Sequence, residues 1–86
     1  MEGLQTLQYR MRTQAQNNYY WKCIVKILSS ELGYFQYEMH NILKKQFSPI
    51  NTKDMNTQEF NDYCEMIRIW ALTDLGIVIP PPNKNK

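Results

Sequence analysis

The sequence predicts a small all-α domain of three helices, with an N-terminal extended arm and a C-terminal strap that ends in prolines. Three observations predict it. Apolar residues recur at three- and four-residue spacing over three stretches of the chain. The first and third stretches open on a capping pattern and stop at a glycine. The run Pro80-Pro81-Pro82 then forces a polyproline-like exit.

The arm covers residues 1–12. Leu7, Tyr9 and Met11 alternate there with Gln8, Arg10 and Arg12, the period of a half-buried strand. The sequence offers no second strand to pair with it. Such an arm pairs with another chain or orders on binding. The folded domain is expected over residues 13–80, with helices at about 13–32, 36–46 and 57–75.

Thr13 and Gln16 form a capping box for the first helix, and Gly33 stops it. Its apolar positions are Tyr20, Ile24, Ile27, Leu28 and Leu32. Trp21, Cys23 and Val25 widen that stripe beyond one face, as in a central or interface helix. The second helix should bury Phe35, Met39, Ile42 and Leu43. Ser48 ends that region because the residue before a proline is pushed away from helix geometry. Residues 48–55 read as a polar loop.

The third helix has the strongest start. Asn56 and Glu59 make a capping box, while Met55 and Phe60 make a hydrophobic staple. Its core stripe is Phe60, Tyr63, Cys64, Ile67, Trp70 and Ala71, and Gly76 with Ile77 predicts a Schellman stop. Ile77-Val78-Ile79 is the strap. Residues 81–86 are expected to form a disordered tail. There is no internal repeat.

At 86 residues the chain is one domain with a thin core. Aromatics are 13% of it, six of them Tyr, which suggests that some serve a partner or a second copy. Cys23 and Cys64 fall among apolar neighbours and read as buried reduced thiols. Two cysteines are too few for a secreted disulfide framework, so the expected location is a cytoplasm. The N-terminus lacks the pattern of a signal peptide. The stretch Tyr19 to Leu28, broken by Lys22 and Lys26, is too short and charged to span a membrane.

Catalysis requires convergent polar groups, and the sequence supplies no such set. The one histidine, His40, is expected at the surface. No Cys/His spacing fits zinc, and no glycine loop cradles a phosphate, so neither enzyme activity, metal nor cofactor is expected. Glu59, Asp62 and Glu65 recur every three residues and read as a solvated helix face, with Glu65 and Arg68 able to pair. Charge is uneven. Residues 1–53 hold seven Lys/Arg against three acids, and residues 54–86 hold three against five. A basic half suits a polyanion or an acidic protein face.

The stretch from Arg12 to Lys26 carries the main functional signal. Arg10, Arg12, Lys22 and Lys26 supply charge, Gln16, Asn17 and Asn18 supply hydrogen bonds, and Tyr19, Tyr20 and Trp21 supply flat faces. Cations along a backbone with aromatics under the bases hold single-stranded nucleic acid. The competing reading makes Tyr20 and Trp21 core aromatics and the polar residues a first-turn cap, since packing explains most such stripes.

Arg12-Thr13-Gln14-Ala15-Gln16-Asn17-Asn18-Tyr19-Tyr20-Trp21 resembles the Arg-Ser/Thr-x-x-Gln-Asn-x-x-x-Trp signature of the phage NinB (Orf-type) recombination-accessory proteins. Leu32-Gly33-Tyr34, Glu38-Met39-His40 and Leu43-Lys44 resemble the family's second helix. Glu59-Phe60, Ile67-Arg68 and Trp70-Ala71 resemble the third, and Leu75-Gly76-Ile77 with Ile79-Pro80 the closing strap. The likeness covers about residues 10–82. Members of the family carry a β-containing domain before the signature, where this chain has about eleven residues.

The resemblance implies a homodimer that binds single-stranded DNA and acts with host single-strand-binding protein, in the cytoplasm of a host bacterium if the chain is phage-encoded. Arg12, Gln16, Asn17 and Trp21 carry over by position. The leading expectation is therefore a recombination accessory protein binding single-stranded DNA. The alternative is a small interaction module or inhibitor that binds a host protein, such as a defence nuclease, without catalysis.

Overall fold

The computed structural model describes residues 13–48 and 50–82. The expected arm, with Arg10 and Arg12, and residues 83–86 lie outside them. Helix α1 occupies residues 14–32. It comprises Gln14–Tyr19, a π-helical stretch Tyr20–Val25, and Lys26–Leu32. Helix α2 is Gln36–Phe47. Helix α3 is Thr57–Trp70, continued by a π-helical last turn Ala71–Leu75. A short 3-10 turn, Thr52–Asp54, lies between α2 and α3. No strand occurs among the described residues, and the domain is all-α as expected.

Local chemistry sets the helix ends. At α1, Thr13 Oγ1 accepts from the Gln16 N–H and Gln16 Oε1 accepts from the Thr13 N–H, both at 3.0 Å. At α3, Asn56 Oδ1 accepts from the Glu59 N–H at 2.8 Å, and Glu59 Oε1 accepts from the Asn56 N–H at 2.9 Å. Both boxes satisfy amides that the first turn leaves without helical partners. Helix α2 has half of such a box, because Phe35 offers no side-chain acceptor. Only Glu38 Oε1 reaches back, to the Phe35 N–H at 3.0 Å.

Gly33 sits at φ 83° and Gly76 at φ 68°, the left-handed region that costs glycine nothing. After Gly33, the Tyr34 N–H donates to the Ser29 carbonyl at 2.9 Å, a Schellman closure. After Gly76, the Ile77 N–H reaches the Ala71 carbonyl at 2.9 Å. That closure is one residue wider than the expected one because the last turn of α3 is already π-helical.

The three helices bury one core. Tyr20, Ile24, Val25 and Leu28 come from α1, Met39 and Leu43 from α2, and Phe60, Tyr63, Cys64, Ile67 and Ala71 from α3. Met55 enters from the α2–α3 connection, so that loop is not only polar surface; Thr52 is buried beside it. In the strap, Ile79 is 2% exposed and Val78 is 73% exposed. One buried side chain thus pins the segment after α3.

Ile42, expected to be buried by α2, is half-buried against the core, and two further core expectations are corrected. Phe35 is 79% exposed, because α2 begins after it and its side chain falls outside the helical register. Trp70 is half-buried rather than enclosed and packs edge-on against Phe47, with ring centroids 5.2 Å apart.

Ile24→Ala should lower stability by about 2–5 kcal/mol, since it opens a cavity at a fully buried site. Gly76→Ala should cost about 1–2 kcal/mol through φ alone, because a Cβ there meets nothing within 4 Å. Urea unfolding followed by helical circular dichroism measures both.

Candidate nucleic-acid interface

Consecutive residues on a helix point about 100° apart, so Tyr19, Tyr20 and Trp21 serve three different surroundings. Tyr20 points into the core and is 1% exposed. Its hydroxyl lies 2.7 Å from His40 Nδ1 and 3.0 Å from the Tyr63 hydroxyl. A buried phenol needs such partners, and these come from α2 and α3. His40 is therefore not the surface residue expected from sequence. It is half-buried, hydrogen-bonded to Tyr20, and its ring lies 4.7 Å from that of Trp21.

Tyr19 turns toward the strap, and its hydroxyl donates to the Pro80 carbonyl at 2.7 Å. Burial pushes its pKa well above the ordinary phenol value; the nearby thiols of Cys23 and Cys64 push the same way, and Arg68 opposes them. Burial also raises the Cys23 thiol. Neither cysteine is in a disulfide; Cys64 is buried and Cys23 half-buried.

Two concavities flank α1. The larger is a groove of about 600 Å³ between the start of α1, the first half of α3 and Pro82. Tyr19, Cys23, Phe60 and Cys64 form its apolar walls, and Gln16, Asn18, Asn61 and Lys22 bring polar groups to it. Gln16 has a structural task here. Besides capping α1, its Nε2 donates to the Thr57 carbonyl at 3.2 Å and ties α1 to the start of α3. The smaller concavity, about 330 Å³, lies against α2 and is lined by Trp21, His40, Lys44, Asn51, Thr52 and Lys53.

The expected site residues therefore do not share one surface. Gln16, Tyr19 and Lys22 meet at the groove, and Trp21 faces the cleft. Asn17 is half-buried, with its N–H bonded to the Thr13 carbonyl. Lys26 is exposed and lines neither concavity. Asn18, named from sequence among the hydrogen-bonding residues, also lines the groove, whereas sequence reasoning missed Asn61 and Phe60 there, and Lys44, Asn51 and Lys53 at the cleft. His40 and Lys44 are four apart on one helix, a spacing that places them on one face. Lys53 arrives through a connection whose path no periodicity specifies.

Among the described residues, no three His, Cys, Asp or Glu side chains gather as a metal site. Nor is any described helix long and apolar enough to cross a membrane. Compared with family models, curated proteins and solved structures, the chain matches none.

Tyr20→Phe removes the hydroxyl that joins all three helices and should cost about 1–3 kcal/mol, against about 0.5–1.5 kcal/mol for Tyr19→Phe. Because the folded pKa of Tyr19 is raised, the unfolded chain loses that proton first as pH rises. Stability linked to Tyr19 is whole below pH about 10 and falls above it. Tyr19→Phe should flatten that alkaline decline, as read by urea midpoints on either side of pH 10.

Proposed function

We propose that the chain is a non-catalytic accessory module that binds single-stranded DNA, of the recombination-accessory kind its α1 signature resembles. The observation that carries this reading is the groove at the start of α1. Its volume lies in the range of small-ligand pockets. Its apolar walls suit the face of an unstacked base, while the carboxamides of Asn18 and Asn61 suit a base edge. Lys22 supplies a cation for the adjoining phosphate. Arg10 and Arg12 stand in the sequence just before Thr13, which itself lines the groove.

One observation favours the second reading, a module that binds a host protein. Phe35 is 79% exposed, Tyr37 70% and Tyr34 44%, and all three sit at the junction of α1 and α2. Exposed aromatics in a cluster are more typical of protein interfaces than of solvent-facing corners.

Anisotropy of a labelled oligothymidylate, titrated at about 50 mM and 200 mM salt, separates the two. The first reading expects binding that weakens with salt. Ala15→Trp, at an exposed helical position on the groove, should weaken it about tenfold or more by displacing a stacked base. Lys22→Gln should lower the salt slope by about 1. Absence of binding at low salt, or indifference to Ala15→Trp, would reject the nucleic-acid reading.

A further inference from the structure

We infer that the cleft on the other side of α1, between Trp21, His40 of α2 and the Thr52–Asp54 turn, is a phosphate-binding site. It does not rest on the groove. Charge is the first ground. The described residues include six Lys/Arg and seven Asp/Glu, so the folded part is slightly acidic. Yet Lys44, Lys45 and Lys53 gather around this cleft and the concavity beside it, which shares Lys44 and Asn51, and only Asp54 joins them. A domain with three further cations and six further acids elsewhere thus holds one concentrated positive patch. Such a patch attracts anions when its charges are not neutralised internally.

They are not. The ion pair among the described residues is Arg68–Glu65, on α3. Among the described residues, no carboxylate lies in salt-bridge contact with Lys44 or Lys53, which line the cleft. An ammonium ion is a strong phosphate donor acting as a point charge, and the Asn51 carboxamide adds a neutral N–H donor in the same lining.

The walls behind these groups are fixed. Tyr20 holds the His40 ring through Nδ1 at 2.7 Å, and the Trp21 ring lies 4.7 Å from it. In the turn, the Asp54 N–H donates to the Asn51 carbonyl at 2.9 Å, and the Met55 N–H donates to the Thr52 carbonyl at 3.1 Å. Thr52 itself is buried. The ordering cost of binding then falls mainly on two lysine side chains. A space of about 330 Å³ is at the small end of ligand pockets, the size for one phosphate group with part of a sugar. The half-buried Trp21 ring stands beside that position.

The phosphate can come from a nucleic-acid strand or from a free phosphate monoester, and the test has an arm for each. The full chain, labelled with nitrogen-15, is titrated with inorganic phosphate, with the dinucleotide of thymidine, and with sodium chloride at matched ionic strength. The Trp21 indole N–H and the amides of Asn51–Lys53 should shift saturably with at least one phosphate ligand and not with chloride. Lys44→Gln combined with Lys53→Gln should weaken that binding tenfold or more, while Lys26→Gln, on an exposed part of α1 outside the cleft, leaves it unchanged. Tighter binding of the dinucleotide identifies a strand as the source, and tighter binding of inorganic phosphate identifies the free monoester. Shifts no larger than those from chloride, or a double variant that binds as well as Lys26→Gln, overturn the site. Ala15→Trp should leave these shifts intact, so a failed groove and a failed cleft are told apart.

Discussion

A phenol hydroxyl sealed inside a helical core must find hydrogen-bond partners there, and the Tyr20 hydroxyl finds one on each of the other two helices. His40 Nδ1 meets it from α2 and the Tyr63 hydroxyl from α3. A buried phenol that lost its partners would leave a polar atom unsatisfied in apolar surroundings, which costs more than an ordinary hydrogen bond contributes, and two partners on two helices guard against that. The ring adds edge-on contacts with Phe60 and Trp21 at 5.4 Å. This one side chain therefore limits how far α1 can rotate about its axis. Once that rotation is set, Tyr19 must face the strap and Trp21 must face α2. The groove and the cleft are the two sides of α1 that this rotation leaves beside Tyr20.

The helix ends were legible because each depends on a few adjacent residues. Thr13 with Gln16, Asn56 with Glu59, and the glycines at 33 and 76 act within one turn, so their chemistry can be read without the rest of the fold. The π-helical stretches Tyr20–Val25 and Ala71–Leu75 were not legible. A widened turn is kept by packing against other helices and has no residue pattern of its own. The position of His40 failed for a related reason. Glu38, two residues before it, suggests a surface, but its burial is decided by Tyr20, twenty residues away. Phe35 failed in the opposite direction, because apolar spacing counted it into a helix that starts one residue later.

The candidate site was legible in residue types and not in arrangement. Cations, carboxamides and aromatics between Arg12 and Lys26 suggested one continuous surface. The structure divides the described ones among a groove, a cleft and open helix surface. Lys22 and Tyr19 sit at the groove with α3 residues that no local pattern links to them. Trp21 sits instead with Lys44 and Lys53, from two later segments. Both concavities are built from elements far apart in sequence, which places them beyond any reading of one stretch.

The resemblance to the recombination-accessory signature gains a physical content from this arrangement. Thr13 and Gln16 close the first turn of α1, Gln16 ties that turn to the Thr57 carbonyl, and Trp21 packs, tilted, against the histidine that Tyr20 holds. Each of these signature positions has a structural task, so its presence follows from the needs of the fold whether or not nucleic acid is bound. Loss of binding on changing Gln16 or Trp21 would therefore not separate a lost contact from a loosened helix. Ala15, Lys22, Lys44 and Lys53 are the discriminating positions, because they line the two concavities without capping a helix or entering the core. Binding that depends on them is binding to a surface, and the two pairs address opposite sides of the helix that Tyr20 orients.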